Sequence, residues 1–286
     1  MTAAPIPPID IEAGGDYPDN LYGAATVAQL VPTLADIGPA ELERFRSDGF
    51  LAVRAAINPM AAADALKGLE TLMMQPSGGA DLQFEAWAAD QLENLDGTQR
   101  MDVVRKLMWF VDHDQRLAAV AQDGSVLAVV RRLLGSEDVV LFQDMALLKP
   151  PGGGREKPWH QDKAYFNVDP DAPVVGVWIA LDDATLDNGC MHVVPGSHRA
   201  GPVVHFRRRD WQICDSDVAI ANDVAVPLPA GGALLFDGLL HHGTPANRTT
   251  TRRRAVQFHY RLRTEVELSE AEHLAVFGSE GKGVSC

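Results

Sequence analysis

The spacing of hydrophobic residues changes near residue 138. Before that point most apolar residues repeat with a helical period, and proline, asparagine and acidic residues stand where helices begin. Three helices are predicted, beginning at Pro39, running from Asn58–Pro59 to about Met74, and spanning residues 113–135. A short apolar run over residues 49–53 predicts one strand. We therefore expect a largely helical part over about residues 39–137.

After residue 138 the pattern is that of a β protein. Short runs rich in valine, leucine and aromatic residues are separated by glycine, proline and asparagine. Six runs predict strands, at residues 139–148, 174–181, 192–194, 224–228, 233–236 and 255–260. Such a series is typical of a sandwich or barrel. The expected fold class is α+β with a mainly β core over about 138–265, N-terminal flanking helices and a C-terminal helix at about 267–277.

The beginning of the chain has a different composition. Residues 1–38 are rich in proline, glycine and aspartate, which predicts a loosely ordered lead-in. The change near residue 138 lacks the composition of a linker, so residues 39–286 are expected to form a single domain. No apolar run reaches the length of a membrane span, and the N-terminus lacks the features of a secretory signal. These features predict a cytoplasmic protein.

Charge and cysteine content narrow the classes of partner. The net charge is −14, which argues against nucleic acid or an anionic membrane surface, because both require a basic surface. A small-molecule substrate is the remaining class. The three cysteines, Cys190, Cys214 and Cys286, form no CxxC pair, which predicts free thiols in a reducing compartment.

A candidate metal site follows from the spacing of a few polar residues. His160 and Asp162 are two positions apart, so on an extended strand their side chains point to the same side. Together with His242 they form the two-histidine, one-carboxylate triad that holds non-haem Fe(II) and leaves three coordination positions open. Arg253 would lie on an adjacent strand and bind a carboxylate with two parallel hydrogen bonds. The pattern predicts an iron oxygenase that consumes a keto acid.

Two other interpretations fit part of this pattern. A histidine and an aspartate two residues apart on a strand are more often a plain polar face than a metal site. Zinc also takes two histidines and a carboxylate, so a zinc hydrolase is the main rival enzyme. Arg253 favours iron, because a dicarboxylate cosubstrate requires it and a hydrolytic zinc site does not. A non-catalytic metal-binding protein on the same fold is the alternative from another class.

A longer set of motifs resembles a known family. The motifs are Met145–Asp162, Trp178, Asn188–Met191 leading into Pro195–His198, His242–Thr244 and Arg253–Ala255. Over about residues 40–265 they resemble the phytanoyl-CoA dioxygenase family of Fe(II)- and 2-oxoglutarate-dependent oxygenases. The resemblance implies a double-stranded β-helix, a jelly-roll or cupin-like fold, with Fe(II), 2-oxoglutarate and O2. It also implies hydroxylation of an unactivated C–H bond of a small metabolite, with release of succinate and CO2.

The resemblance also implies roles for individual residues. The iron ligands would be His160, Asp162 and His242, and the partner of the distal carboxylate of 2-oxoglutarate would be Arg253, supported by the hydroxyl of Thr244. Further positions are implied in the cosubstrate pocket, namely Met145, Trp178 and, on a helix, Lys106. Candidates to face the substrate are Gln143, Gln161, Tyr165 and His259, although a buried structural role for His259 is an equal alternative.

Two neighbouring histidines require a choice. His241 and His242 point to opposite sides of an extended chain, so only one joins the metal site. We choose His242 because it precedes Gly243, which allows close backbone approach, and because it sets the family-like spacing to Thr244 and Arg253.

The outcome of the reaction is left open by these motifs. Desaturation, epoxidation and cyclisation are alternatives on the same iron. Halogenation is not expected, because Asp162 fills the coordination position that a halide needs. The loop over residues 149–158 is rich in glycine and proline and is a candidate lid.

Overall fold

The computed structural model describes residues 16–74, 79–264, 267–278 and 286. The helices of these residues are α1 (Pro39–Asp48), α2 (Pro59–Met74), α3 (Gly97–Met101), α4 (Gln115–Ala121), α5 (Gly124–Leu134) and α6 (Glu270–Phe277). The strands of the first half are β1 (Thr26–Val27), β2 (Leu30–Thr33), β3 (Phe50–Ala55), β4 (Asp81–Phe84), β5 (Val104–Met108) and β6 (Val139–Lys149). Those of the second half are β7 (Lys157–His160), β8 (Val174–Ala180), β9 (Met191–Val193), β10 (His205–Arg207), β11 (Trp211–Ile213), β12 (Val224–Val226), β13 (Ala233–Asp237), β14 (His242–Thr244) and β15 (Arg253–Leu262).

Two sheets pack against each other. The large sheet has the order β2-β3-β13-β8-β15-β6-β5-β4, and the small sheet has the order β1-β12-β9-β14-β7. Buried residues from both sheets, among them Trp178 and Leu234 of the large sheet and Met191 and Val193 of the small one, form one core between them. In the second half β6, β8, β13 and β15 belong to the large sheet and β7, β9, β12 and β14 to the small one, as in a jelly roll, whereas β10 and β11 form a separate two-stranded sheet. The predicted α+β class with a mainly β core is confirmed.

Helices α1, α2, α4 and α5 cover the outer face of the large sheet. Along β8 the residues Val175, Val177 and Ile179 pack into the core that contains the helices, whereas Trp178 between them faces the small sheet. This alternation follows from the period of two along a strand. Among the described residues no helix combines the length and hydrophobicity needed to cross a bilayer.

Helix ends follow the expected local chemistry. The helix predicted over residues 113–135 is two helices, because the carboxylate of Asp123 accepts hydrogen bonds from the N–H groups of Ser125 and Val126 and begins α5. Gly135 adopts a left-handed conformation with φ of 70° and ends it.

The region before residue 138 contains more strand than predicted. Residues 81–84 and 104–108 form β4 and β5, which extend the large sheet beyond β6. β5 pairs with β6 and β4 pairs with β5, and strand formation depends more on such non-local neighbours than on local preference. Lys106 therefore lies on β5 and not on a helix, opposite Leu147 of β6.

Residues 16–38 are part of the folded structure, contrary to the predicted lead-in. β1 pairs in parallel with β12, and β2 pairs in parallel with β3. Tyr22 stacks on Trp159 with ring centroids 5.5 Å apart, and its hydroxyl donates a hydrogen bond to Glu156. These contacts join segments far apart in the chain, so local composition did not reveal them. Residues 1–15 lie outside the described residues.

The prediction of free thiols is wrong for two of the three cysteines. Cys214 and Cys286 form a disulfide, whereas Cys190 is free and buried. Pairing of residues so far apart depends on the fold, because no local motif brings them together. The cysteines therefore no longer support a reducing compartment.

Candidate metal centre

A cavity of about 320 Å³ opens between the two sheets. One row of side chains crosses the large sheet and lines it, because directly opposed residues of neighbouring strands share a face. This row consists of Met108, Met145, Gln257 and Trp178, on β5, β6, β15 and β8 respectively. Polar groups approach the cavity from the small sheet and from the ends of the large one.

Three candidate metal ligands meet at one end of this cavity. His160 ends β7 and His242 begins β14, and the two are directly paired in the small sheet. The side chains of His160, Asp162 and His242 offer ligand atoms that all lie within 4.8 Å of one another. The Oδ1 atom of Asp162 lies 3.2 Å from Nε2 of His160 and 3.5 Å from Nε2 of His242. This cluster can hold a metal ion.

The local structure around Asp162 differs from the predicted strand. β7 ends at His160, and Asp162 begins a short 3₁₀ turn that ends at Tyr165. Gln161 keeps an extended backbone, with φ of −111° and ψ of 131°. The two flanking side chains therefore still project to the same side, as the period of two requires.

Both histidines are held in the tautomer that a metal needs. Nδ1 of His160 lies 2.7 Å from the carbonyl oxygen of Pro158, and Nδ1 of His242 lies 2.9 Å from that of Leu240. When each Nδ1–H donates to its carbonyl, Nε2 keeps its lone pair for a metal. Burial and the nearby His242 lower the pKa of His160 to about 4, so its imidazole is neutral at neutral pH.

The carboxylate of Asp162 is oriented from behind by β15. Its Oδ2 atom accepts hydrogen bonds from Nε2 of Gln257 at 2.9 Å and from Nε2 of His259 at 2.7 Å. Oδ1 is left for the metal. Burial alone would raise the pKa of Asp162, but the imidazoles of His242 and His259 outweigh it and hold that pKa well below its usual range. The ligand is therefore anionic before a metal binds.

We expect His259→Leu to weaken metal binding about 10- to 100-fold, the usual effect of removing a group that orients a ligand. His259→Gln keeps a donor and should lose less. Titration with Co(II) in the absence of O2 measures this directly, with circular dichroism to verify folding. Equal metal affinity in the leucine variant and the parent protein would show that Asp162 needs no support from His259.

The other end of the cavity contains a buried arginine. Arg253 lies below Trp178, with its guanidinium carbon 5.5 Å from the ring centroid, and donates from Nη1 to the carbonyl oxygen of Leu147. Its Nε atom is buried and has no hydrogen-bond partner in the part of the chain that the structure describes. Burial lowers the pKa of Arg253 to about 10. A buried cation with donors to spare favours an anionic ligand.

The neighbours of Arg253 point away from the cavity. Arg252 pairs with Asp102, and Arg254 pairs with Asp182 and Glu70. The predicted register, in which the middle arginine of the three faces the cavity, agrees with these contacts.

Most of the predicted site residues line the cavity. They are His160, Asp162, His242, Arg253, Thr244, Trp178, Met145, Lys106, Gln143 and Tyr165. The prediction for Gln161 does not fit the structure: its fully buried amide bonds the backbone of Gly201, Val203 and Leu239 and supports a loop. His259 reaches Asp162 and not the cavity wall.

His241 and His242 have different surroundings. His242 faces the other ligands, and a Cβ atom on Gly243 would come within 3.0 Å of the carbonyl oxygen of Lys157 on the adjacent strand. Close backbone approach at Gly243, expected from the sequence, is therefore present. His241 does not line the cavity, and burial lowers its pKa to about 4.

Several cavity residues were not predicted. Lys149, Lys157, Arg105 and Gln257 all line it. Gln257 had a local signal, because it stands two positions before His259 and shares its face of β15. The three cations had none, since their positions depend on which strands are neighbours.

The candidate lid at residues 149–158 is anchored at one side. The side-chain amide of Asn247 donates to the carbonyl oxygens of Lys149 and Pro150, and the N–H of Gly152 donates to the carbonyl oxygen of Thr249. The loop lines the cavity through Arg155 and Glu156. Its closing over the site stays a prediction.

The fold is a jelly roll whose cavity has two histidines and a carboxylate at one end and a buried arginine at the other. This combination is that of the iron-dependent oxygenases. The model of the family described as phytanoyl-CoA dioxygenase (PhyH) matches residues 45–255. This chain therefore belongs to the phytanoyl-CoA dioxygenase family, within the Fe(II)/2-oxoglutarate oxygenases.

Relatives by sequence carry the same family name. Phytanoyl-CoA dioxygenase domain-containing protein 1 of Rattus norvegicus is 26% identical over 264 residues, which cover 79% of this chain and 90% of that protein. Phytanoyl-CoA dioxygenase of Arabidopsis thaliana is 35% identical over 130 residues, which cover 44% of this chain and 46% of the relative.

Solved structures share the fold. EctD from S. alaskensis, with 2-oxoglutarate and 5-hydroxyectoine, has a TM-score of 0.64 and 21% identity, covering 96% of this chain and 86% of its own. EvdO2 from Micromonospora carbonacea var. aurantiaca, with 2-oxoglutarate, has a TM-score of 0.62 and 24% identity, covering 86% and 96%. The epimerase SnoN, with Fe3+, alpha ketoglutarate and nogalamycin RO, has a TM-score of 0.63 and 21% identity, covering 87% and 93%.

Proposed function

We propose that this protein is an Fe(II)- and 2-oxoglutarate-dependent hydroxylase of a small metabolite. The observation that carries the proposal is the pairing of a complete metal triad with the buried, incompletely bonded guanidinium of Arg253 in one cavity. A zinc hydrolase has no use for that guanidinium. The structural relatives solved with 2-oxoglutarate support the choice of cosubstrate.

Each residue would contribute binding or orientation. His160, Asp162 and His242 would hold the iron, and Arg253 with Thr244 would bind the distal carboxylate of 2-oxoglutarate. When bound, iron and 2-oxoglutarate supply the oxidising chemistry, in which the keto acid is split into succinate and CO2 as O2 is consumed. Trp178 and Met145 would keep this end of the cavity dry, which strengthens the carboxylate contact with Arg253.

The outcome on the substrate is the finer part of the proposal. Hydroxylation adds one oxygen atom, whereas desaturation removes two hydrogen atoms, and epoxidation and cyclisation remain alternatives. One structural neighbour is an epimerase, so this fold supports other outcomes too. Halogenation is not proposed, because Asp162 fills the position a halide would take. A cytoplasmic location also stays a prediction, supported by the need for iron in its reduced state.

Formation of succinate tests the proposal. Purified protein with Fe(II), ascorbate, 2-oxoglutarate and O2 should form succinate above the background of Asp162→Ala, and a true substrate from a metabolite library should raise the rate further. Mass spectrometry of the product then separates a gain of one oxygen atom from a loss of two hydrogen atoms. If the protein bound metal and 2-oxoglutarate but formed no succinate, it would be a non-catalytic protein. If it still converted a substrate after the removal of O2, it would be a hydrolase.

A further inference from the structure

A second buried cation lies beside Arg253. Lys149, at the end of β6, is the direct partner of Arg253 in the register of β6 and β15. Residues directly opposed in an antiparallel pair have side chains on the same face. Both side chains line the cavity, and both residues are almost fully buried, with 4% and 2% of their surface exposed.

The side chain of Lys149 is held in place along its length. Gly189 has φ of 89°, and a Cβ atom there would lie 2.8 Å from Cδ of Lys149 and 3.0 Å from its Cε. Glycine at this position therefore leaves room for the lysine stem to pass. The ammonium group donates one hydrogen bond, to the carbonyl oxygen of Arg155, and has two further donors.

No carboxylate of the described residues pairs with either cation. Neither Lys149 nor Arg253 has one within 4.0 Å, and the charges of Glu85 and Glu156 reach Lys149 only from farther away. Cys190 does not supply the charge, because burial raises the pKa of its thiol to about 12. Burial and repulsion from Arg253 hold the pKa of Lys149 well below its usual range. Two adjacent buried cations are stabilised when an anion binds between them.

We propose that Lys149 is a second cationic ligand, beside Arg253, for the distal carboxylate of 2-oxoglutarate. The two residues together would make the cavity selective for keto acids that carry a carboxylate at their far end. This inference rests on the proposed function, since it takes 2-oxoglutarate as the cosubstrate.

Ligand binding by the Lys149→Met variant tests this role. The dissociation constants of 2-oxoglutarate and of 2-oxovalerate, which has the same chain length but a methyl group in place of the distal carboxylate, are measured by calorimetry on Ni(II)-loaded protein. We expect the variant to bind 2-oxoglutarate about 10- to 100-fold more weakly, as for a lost hydrogen bond to a charged group. Its affinity for 2-oxovalerate should be nearly unchanged.

Two further variants make the result specific. Lys149→Gln keeps a donor for the carbonyl oxygen of Arg155 but loses the charge, so it should show the same selective loss even where the methionine variant fails to fold. In Lys157→Met the altered lysine lies in the same cavity but already pairs with Asp210 at 2.6 Å. The ratio of the two dissociation constants should therefore stay at the parent value in that variant.

The outcomes separate the inference from the proposed function. If the Lys149 variants bound both keto acids more weakly by the same factor, or bound both as the parent protein does, the proposed role of Lys149 would be overturned. Lys149 would then only support the loop at Arg155. A parent protein that does not prefer 2-oxoglutarate to 2-oxovalerate would overturn the cosubstrate itself, and with it both proposals.

Discussion

His242→Ala is expected to abolish metal-dependent succinate formation, whereas His241→Ala should retain a substantial part of it. The structure pairs His242 with His160 across two strands and brings its Nε2 atom to Asp162. Loss of a residue that orients a ligand weakens metal binding about 10- to 100-fold, and loss of the ligand itself should weaken it more. His241 does not line the cavity, so its loss should affect packing more than chemistry.

Metal binding and turnover should be measured together for both histidine variants. Titration with Co(II) reports the site without requiring catalysis, and circular dichroism shows whether each variant folds. His241→Asn is a useful additional variant, because the residue is largely buried and alanine leaves a gap there. If the His241 variants lost activity and the His242 variant kept it, the metal ligand would be His241 and not His242.

Arg253→Ala should bind 2-oxoglutarate far more weakly while metal affinity survives. Removing one partner of a buried, charge-assisted contact costs about 2–5 kcal/mol, which corresponds to a ~30- to ~4000-fold higher dissociation constant. The guanidinium lies at the end of the cavity beside Trp178 and not among the metal ligands. Calorimetry with 2-oxoglutarate on Ni(II)-loaded protein measures the loss.

Arg252→Ala is the matched control for this prediction. It removes the preceding arginine of the same strand end, whose guanidinium pairs with Asp102 outside the cavity. Its affinity for 2-oxoglutarate should match that of the parent protein. If Arg253→Ala bound 2-oxoglutarate as well as this control does, the carboxylate would have to bind elsewhere in the cavity.

The sequence predicted those features that depend on local periodicity. Runs of branched and aromatic residues gave the strands now called β6, β8, β13 and β15, because a strand buried on both faces needs apolar residues throughout. The two-residue spacing of His160 and Asp162 correctly predicted a shared direction, although a 3₁₀ turn replaces the expected strand. The expected strand and the observed 3₁₀ turn share an extended backbone at Gln161, which keeps the two flanking side chains on the same side.

Features that depend on strand order were not predicted. Lys149 meets Arg253 only because β6 and β15 are neighbours with a particular register. Lys106 reaches the cavity from β5, one of the two strands that extend the large sheet beyond β6, and not from a helix. Cys214 and Cys286 are joined across a long stretch of chain. In each case the residues in contact are far apart in the sequence, and no local periodic pattern predicts the contact.

The stacking of Tyr22 on Trp159 has a practical consequence for how the protein is divided into fragments. Composition suggested a boundary at residue 39, and an expression clone designed on that basis would discard Tyr22 together with β1 and β2. The edges of both sheets would then carry unpaired backbone groups, a common origin of aggregation. Trp159, whose indole N–H donates to the carbonyl oxygen of Leu21, would lose that acceptor one residue away from the ligand His160. Fragments intended to keep the metal site intact should therefore begin no later than residue 16.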